Sequence, residues 1–179
     1  MSYRTNDLEP WVLPSVRTAE KILANNESLN KEYLPILGLE EFNFASTKLL
    51  LGRDSPAITT NRVFSVQTLS ATGALRVGAE FLIRVMGKQI IYYSNPTWEN
   101  HKLIFKNVGF LERREYRYWS HTNRGLDLDG LLEDLRDAPE GSVIVFHAVA
   151  HNPSGCDPTP KQWEQIAKSY EGEKTVSLF

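Results

Sequence analysis

The spacing of hydrophobic positions changes along this chain and predicts two regions of different organisation. In the first fifty residues, apolar side chains recur at helical spacing in two segments. One helix is expected to begin near Pro14 and to end at Asn25, and a second to end at Gly52, after an apolar face within residues 42–50. The polar turn Asp54-Ser55-Pro56 closes this helical region.

From residue 63 onward, short apolar runs alternate with segments of helical spacing. Strands are expected over residues 63–69, 89–93, 115–119 and 142–150, and helices over residues 74–86, 101–108, 128–135 and 160–170. Asp127 and Thr159 stand where N-caps of the last two helices belong. Strands that alternate with helices predict an α/β fold, with a mostly parallel sheet covered by helices on both faces. Residues 171–179 break this pattern and are expected to form a frayed tail.

Composition narrows the class of ligand more than it narrows the fold. The chain has 179 residues, 41% of them hydrophobic, a net charge of −2 and no cluster of basic residues. This length and hydrophobic content suffice for one domain or part of one. The sequence lacks the basic patch expected for binding nucleic acid or an anionic membrane. The single cysteine, Cys156, allows no internal disulfide and fits a reducing compartment. With no targeting segment or membrane span in the sequence, a cytoplasmic protein with a small-molecule ligand is expected.

The loop Ser70-Ala71-Thr72-Gly73 lies between a predicted strand and a predicted helix. Its backbone amides, the positive end of the helix and two hydroxyl groups would face one point, which suits a phosphate monoester. The alternative is a plain helix N-cap, in which Ser70 or Thr72 satisfies free amides. The loop is neither a Gly-Lys-Ser/Thr phosphate loop nor a G-x-G-x-x-G dinucleotide motif, so a nicotinamide-dependent dehydrogenase is disfavoured.

An aromatic residue and an amide follow two of the predicted strands. Trp98 comes after Asn95-Pro96-Thr97, where its indole could stack on a planar ring or could cover the core. His101 lies three residues further and could support such a ring or bond to the backbone. Asn152, before Pro153, could donate to a phenolate or a carboxylate, or could form an Asx turn.

His147 lies within a predicted buried strand, where a core histidine with satisfied hydrogen bonds is the alternative to a group that supports a bound ring. The four histidines do not occur with carboxylates or the cysteine at metal-ligand spacing. No metal site is therefore expected.

Together these segments resemble the aspartate aminotransferase family, in particular its eukaryotic cytosolic branch, over residues 2–168. The matching motifs, in chain order, are Tyr3-Arg4-Thr5, Pro10-Trp11-Val12-Leu13-Pro14, Glu32-Tyr33-Leu34-Pro35-Ile36-Leu37-Gly38, Ser70-Ala71-Thr72-Gly73-Ala74-Leu75, Ser94-Asn95-Pro96-Thr97-Trp98-Glu99-Asn100-His101, Tyr116-Arg117-Tyr118-Trp119, His151-Asn152-Pro153-Ser154-Gly155 and Asp157-Pro158-Thr159-Pro160. The resemblance implies a fold-type I enzyme, dependent on pyridoxal phosphate, that transfers amino groups between L-aspartate and 2-oxoglutarate. It also implies a homodimer whose substrates are small dicarboxylic amino acids and oxo acids.

The resemblance also divides the chain. Residues 1–52 correspond to an N-terminal arm and helices, residues 53–170 to part of the large domain that binds the coenzyme, and residues 171–179 to a divergent tail. In this family the backbone and hydroxyls at Ser70, Ala71 and Thr72 would hold the coenzyme phosphate. Tyr33 would reach the phosphate bound in the partner subunit.

Four more residues take roles around the ring on the same resemblance. Trp98 would stack on the pyridine ring and border the substrate. Asn152 would bind the phenolic oxygen and help to seat a substrate carboxylate. His101 and His147 would support the ring from behind without touching it.

Several family features have no counterpart in the sequence. Ala71 replaces a glycine and Ser154 a threonine, and the Ala71 methyl would weaken phosphate binding only if its φ were positive. Met1 stands where a substrate-binding glycine is usual. The aspartate at the pyridine nitrogen, the Schiff-base lysine in its Ser-Lys-Asn context and the arginines that bind substrate carboxylates are not matched. No catalytic residue is therefore assigned.

The expected protein is a truncated aspartate aminotransferase that is inactive alone. One alternative is a non-catalytic chain that binds the coenzyme weakly or associates with a full-length subunit through the region of Tyr33. Another is an unstable fragment, because a sheet that lacks central strands exposes edges and apolar faces.

Overall fold

A computed structural model describes residues 3–169 and 176–178 of the chain. The chain divides into two compact units, Met1–Val66 and Gln67–Phe179. Among the described residues, no helix has the length and apolar character needed to cross a membrane.

The first unit contains three helices within its described residues: α1 (Pro14–Ala24), α2 (Glu40–Leu51) and α3 (Pro56–Thr59). The prediction of α1 and α2 is confirmed. Pro14 starts α1 because its fixed φ suits the first helical position, and Gly52, at φ +84°, ends α2 in the left-handed region that favours glycine. No described residue of this unit is buried.

The second unit is an α/β structure. Its helices are α4 (Ser70–Arg84), α5 (Glu99–Val108), α6 (Leu128–Arg136) and α7 (Pro160–Ser169), and its strands are β1 (Ile90–Asn95), β2 (Glu112–Arg117), β3 (Trp119–Ser120), β4 (Gly125–Leu126), β5 (Val143–Val145) and β6 (Val176–Leu178). Strands β3 and β4 form a small antiparallel hairpin. The predicted alternation of strands and helices is confirmed.

Within the described residues, the main sheet has four parallel strands in the order β2-β1-β5-β6. Alternate residues of β1 pack against opposite layers, as the period of two in a strand requires. Ile91 and Tyr93 join a buried cluster with α4 and α5, whereas Tyr92 joins a second cluster with α6 and α7. The predicted parallel sheet with helices on both faces is therefore confirmed.

The predicted N-caps of α6 and α7 are confirmed. The Asp127 side chain accepts a hydrogen bond from the Gly130 amide at 3.1 Å. Thr159 and Gln162 form a reciprocal capping box, because each side chain accepts a hydrogen bond from the backbone amide of the other.

Several predicted segments differ in the structure. The strand expected over residues 115–119 is divided, because β2 ends at Arg117 and β3 begins at Trp119. Residues 63–69 form no strand, because no neighbouring strand within the described residues pairs with them. The predicted strand over residues 142–150 ends at Val145. Part of the expected frayed tail is ordered instead: Val176–Leu178 pairs with β5, and the Phe146 amide donates to the Leu178 carbonyl at 2.7 Å. Residues 171–175 and 179 lie outside the described residues.

Candidate functional site

Three segments meet at one edge of the main sheet. Strands β1 and β5 are parallel, so the residues that follow them emerge at the same carboxyl edge. Helix α4 packs on β1, and the end of α4 is joined to the amino end of β1 by residues 85–89 only. Helix α4 therefore runs in the opposite direction to β1, and its first turn lies at the same carboxyl edge. The segments containing Ser70, Trp98 and Asn152 therefore share an edge, which is where open α/β sheets bind ligands.

The segment Ser70-Ala71-Thr72-Gly73 was expected as a loop before the helix and is instead the first turn of α4. The first amides of a helix have no acceptor within the helix itself. Here the N-cap residue, Leu69, contributes no side-chain hydrogen bond, and the first turn contains no acidic residue. The exposed amides and hydroxyls of this turn therefore form an open, electropositive helix start that an anion can occupy.

The positive φ in this turn belongs to Ser70, at +61°, and not to Ala71. The methyl group of Ala71 consequently imposes no left-handed strain, so the conditional weakening of phosphate binding expected from this residue does not arise.

Trp98 is the N-cap residue of α5 and is half-buried. Its indole contacts the ring of His101 edge-on, with 5.4 Å between ring centroids and an interplanar angle of 87°. His101 in turn stacks on Phe105 at 5.9 Å, which anchors this side of the site to the buried cluster under α5. The tryptophan therefore has a fixed support beneath it and a partly accessible surface.

Thr97 joins the two histidines and was not singled out as a site residue from the sequence. Its hydroxyl is buried and lies 2.8 Å from His101 Nδ1 and 3.4 Å from His147 Nε2. The signal available in the sequence was only its place in the motif before Trp98, and the periodicity of the chain does not reveal a contact across 50 residues.

The hydrogen bonds assign the protons in this group. His147 Nδ1 accepts the backbone amide of Asn152 at 3.0 Å, so a neutral His147 carries its proton on Nε2 and donates to Thr97. The Thr97 hydroxyl then donates to His101 Nδ1, which leaves the proton of His101 on Nε2. Among the described residues, that buried nitrogen of His101 has no hydrogen-bond partner.

Burial keeps these rings neutral. It lowers the pKa of His101 to about 4, with a further contribution from His147, and it lowers the pKa of His147 as well. At neutral pH the site therefore presents uncharged imidazoles beside the indole.

His151 is a second residue to which sequence reasoning gave no role. It is almost fully buried, stacks on Tyr118 with 3.7 Å between centroids, and bonds to Ser94 at 2.9 Å and Ser154 at 2.7 Å. Burial, followed by the neighbouring His147, lowers its pKa to about 4. His151 thus ties the segment after β5 to the end of β1.

The other predicted site residues, Asn152 and Tyr33, differ in their surroundings. The carboxamide of Asn152 is half-buried and has no hydrogen bond to any described residue, so it is available to a ligand. Tyr33 lies in the other unit with a fully exposed side chain. Within the described part of the chain, no group of three or more histidine, cysteine or acidic side chains could hold a metal ion.

A sequence profile described as aminotransferase class I and II matches residues 2–179. The chain belongs to this family. It is 54% identical over 171 residues to the cytoplasmic aspartate aminotransferase of Gallus gallus, an alignment that covers 93% of this chain and 42% of the relative. The Caenorhabditis elegans cytoplasmic aspartate aminotransferase is 49% identical over 178 residues and 44% of its length is covered.

Solved structures agree with the family assignment. The cytoplasmic aspartate aminotransferase of Saccharomyces cerevisiae has a TM-score of 0.94 and 44% identity, over 99% of this chain and 43% of that one. An aromatic-amino-acid aminotransferase from Burkholderia pseudomallei, covalently bound to pyridoxal phosphate, has a TM-score of 0.93 and 37% identity, with 99% and 44% covered. The chain thus spans less than half the length of the relatives it matches, and its fold corresponds to part of the aminotransferase fold.

Proposed function

We propose that this chain contributes the pyridoxal-phosphate-binding part of an aspartate aminotransferase, which moves an amino group between L-aspartate and 2-oxoglutarate. The observation that carries the proposal is the line of contacts Trp98–His101–Thr97–His147–Asn152 along the carboxyl edge of the sheet. It connects a half-buried indole at one end with an unbonded carboxamide at the other. The identity to cytoplasmic aspartate aminotransferases supports both the reaction class and a cytoplasmic location.

The residues present fit the coenzyme. The first turn of α4, at Ser70, Ala71 and Thr72, would bind the phosphate through free amides and hydroxyls. Trp98 would stack on the pyridine ring. Asn152 would donate its amide N–H to the phenolic oxygen and help to bind a substrate carboxylate.

Two further groups would act around the coenzyme. His101 and His147, held neutral by burial, would support the ring without adding a positive charge. Tyr33, exposed in the first unit, would contact the phosphate bound by a second subunit of a homodimer.

When bound, pyridoxal phosphate supplies a carbonyl group that takes up the amino group and a ring that withdraws electrons from the reacting carbon. The 179 residues contain no lysine in a Ser-Lys-Asn context. These residues by themselves are therefore expected to bind the coenzyme without completing amino transfer.

The test is direct binding of pyridoxine 5′-phosphate, which lacks the aldehyde and so does not react with surface lysines. Equilibrium dialysis would compare the chain with Trp98→Leu, Asn152→Ala and Thr72→Val. Each variant should weaken binding about tenfold, the effect of one lost stacking or hydrogen-bonding contact.

Trp11→Leu, a matched control in the first unit, should leave binding unchanged. Removing the ligand phosphate, with pyridoxine as the probe, should abolish the effect of Thr72→Val. Equal binding by all variants, or none by the parent chain, would contradict the proposal.

A further inference from the structure

Three successive backbone amides between β5 and Pro153 donate to side chains instead of to another strand. The amides of Ala150 and His151 both donate to the carboxylate of Asp157, each at 2.8 Å. The next amide, that of Asn152, donates to His147 Nδ1 at 3.0 Å. Side chains therefore determine the path of the backbone here.

The carboxylate of Asp157 holds the backbone in a conformation that the chain would otherwise avoid. Ala150 has a φ of +56°, in the left-handed region that a residue with a Cβ rarely adopts. Each oxygen of Asp157 receives one of the two neighbouring amides, and these bonds hold the pKa of the carboxyl below its usual range. Asp157 itself is exposed, so it is not a core packing residue.

The residue after this clamp is Asn152, whose carboxamide has no hydrogen bond to a described residue. A rotation of the backbone at Ala150 or His151 would redirect that carboxamide. The same rotation would break the bond from the Asn152 amide to His147.

We propose that Asp157 is a positioning residue: its two hydrogen bonds to the Ala150 and His151 amides aim the Asn152 carboxamide at the ring oxygen of the coenzyme. This inference rests on the proposed function. Asp157 touches neither coenzyme nor substrate, and it acts only through the backbone that it holds.

The experiment compares the whole chain with Asp157→Asn. Asparagine keeps one acceptor oxygen but presents an NH₂ group to the second amide, so one of the two bonds becomes a contact between donors. Asp157→Glu keeps the carboxylate and is the conservative variant. Asp137→Asn, which removes the same charge from the exposed end of α6, is the matched control.

Dialysis with pyridoxine 5′-phosphate and with its 3-deoxy analogue, which lacks the ring oxygen, separates positioning from general damage to the fold. We expect Asp157→Asn to weaken binding of pyridoxine phosphate about tenfold and to leave binding of the analogue unchanged. Combined with Asn152→Ala, the substitution should have no further effect. Asp157→Glu should recover most of the affinity, and Asp137→Asn should lose none.

Equal weakening for both ligands would overturn the proposal, as would additive effects of the two substitutions. A second readout does not depend on the coenzyme. In ¹⁵N–¹H spectra, Asp157→Asn should shift the backbone amides of residues 150–152 and the side-chain amide of Asn152, whereas unchanged signals would overturn the proposal. If the parent chain binds neither ligand, the proposed function fails, and the spectra still decide whether Asp157 orients Asn152.

Discussion

The two units differ in what their helices cover. In the first unit the apolar faces of α1 and α2 contain no buried residue, and side chains such as Ile36 and Leu49 are 99% and 89% exposed. In the second unit α4 to α7 bury residues against two faces of a sheet. Helices with similar periodicity in the sequence therefore differ in the apolar area that they remove from water, which is the main source of stability.

Side-chain capping follows this division only in part. The residues before α1 and α2, Leu13 and Leu39, provide no side-chain hydrogen bond to the helix start. In the second unit Asp127 caps α6 and Thr159 caps α7, whereas α4 and α5 have no side-chain cap. Burial is therefore the feature that all four helices of the second unit share.

The largest expected effect on stability comes from a leucine-to-alanine substitution, made at one position in each unit. Leu131→Ala removes a fully buried side chain of α6 and should lower the free energy of unfolding by about 2–5 kcal/mol. Leu49→Ala in α2, where the side chain is 89% exposed, should change it by less than about 0.5 kcal/mol. Urea unfolding followed by circular dichroism measures both. A loss above 1 kcal/mol for Leu49→Ala would show that this face of α2 is covered in solution.

Acidification should destabilise the second unit, which contains His101 and His151. In the folded chain the pKa of His101 and of His151 is lowered to about 4, from an ordinary value near 6.5. Between these values the unfolded chain binds protons that the folded chain does not. Their stabilising effect is therefore complete above pH 6.5 and is lost as the pH falls toward 4, by on the order of 1–3 kcal/mol per histidine.

Urea unfolding at pH 7.5, 6 and 5 measures the slope of the free energy of unfolding against pH. His101→Gln should flatten it, because the variant has no imidazole to protonate at that position. A slope that His101→Gln leaves unchanged would refute the assignment.

Loss of the α6 cap should have a smaller effect. Asp127→Ala leaves the Gly130 amide without its acceptor and should cost about 1 kcal/mol. Asp127→Asn, which keeps a side-chain oxygen, should cost less. Thermal unfolding of the three proteins measures this, and equal melting temperatures would show that the cap contributes nothing.

The smallest effect concerns the left-handed residue beside the candidate site. Ala150→Gly should relieve strain at φ +56° and raise stability by less than about 1 kcal/mol, since the greater freedom of glycine in the unfolded chain offsets part of the gain. Asn61→Gly, at φ +54° in the first unit, should change stability even less because asparagine tolerates this region. Precise urea titrations would distinguish the pair, and a loss of stability for Ala150→Gly would argue against strain.

Local signals in the sequence predict this structure best. Pro14, Gly52, Asp127 and Thr159 mark helix ends by chemistry that acts within one turn, and all four act in this way in the structure. The strand predicted over residues 63–69 is absent, because a strand needs a partner that the apolar pattern does not provide. The roles assigned to Ser70, Thr72, Trp98, Asn152 and Tyr33 stay predictions.

The amino-acid sequence by itself determined most of the helices and strands of the second unit, the parallel sheet with helices on both faces, and the motifs that identify an aminotransferase. Hydrophobic periodicity and capping carry that information because they act over a few residues. Only the tertiary structure decided where β5 ends, that Thr97 bridges two histidines, and that His151 joins the ends of two strands. The contacts of Thr97 with His147 and of Ser94 with His151 join side chains 50 and 57 residues apart. These side chains meet only when β1 and β5 pair, so no local pattern could reveal the contacts.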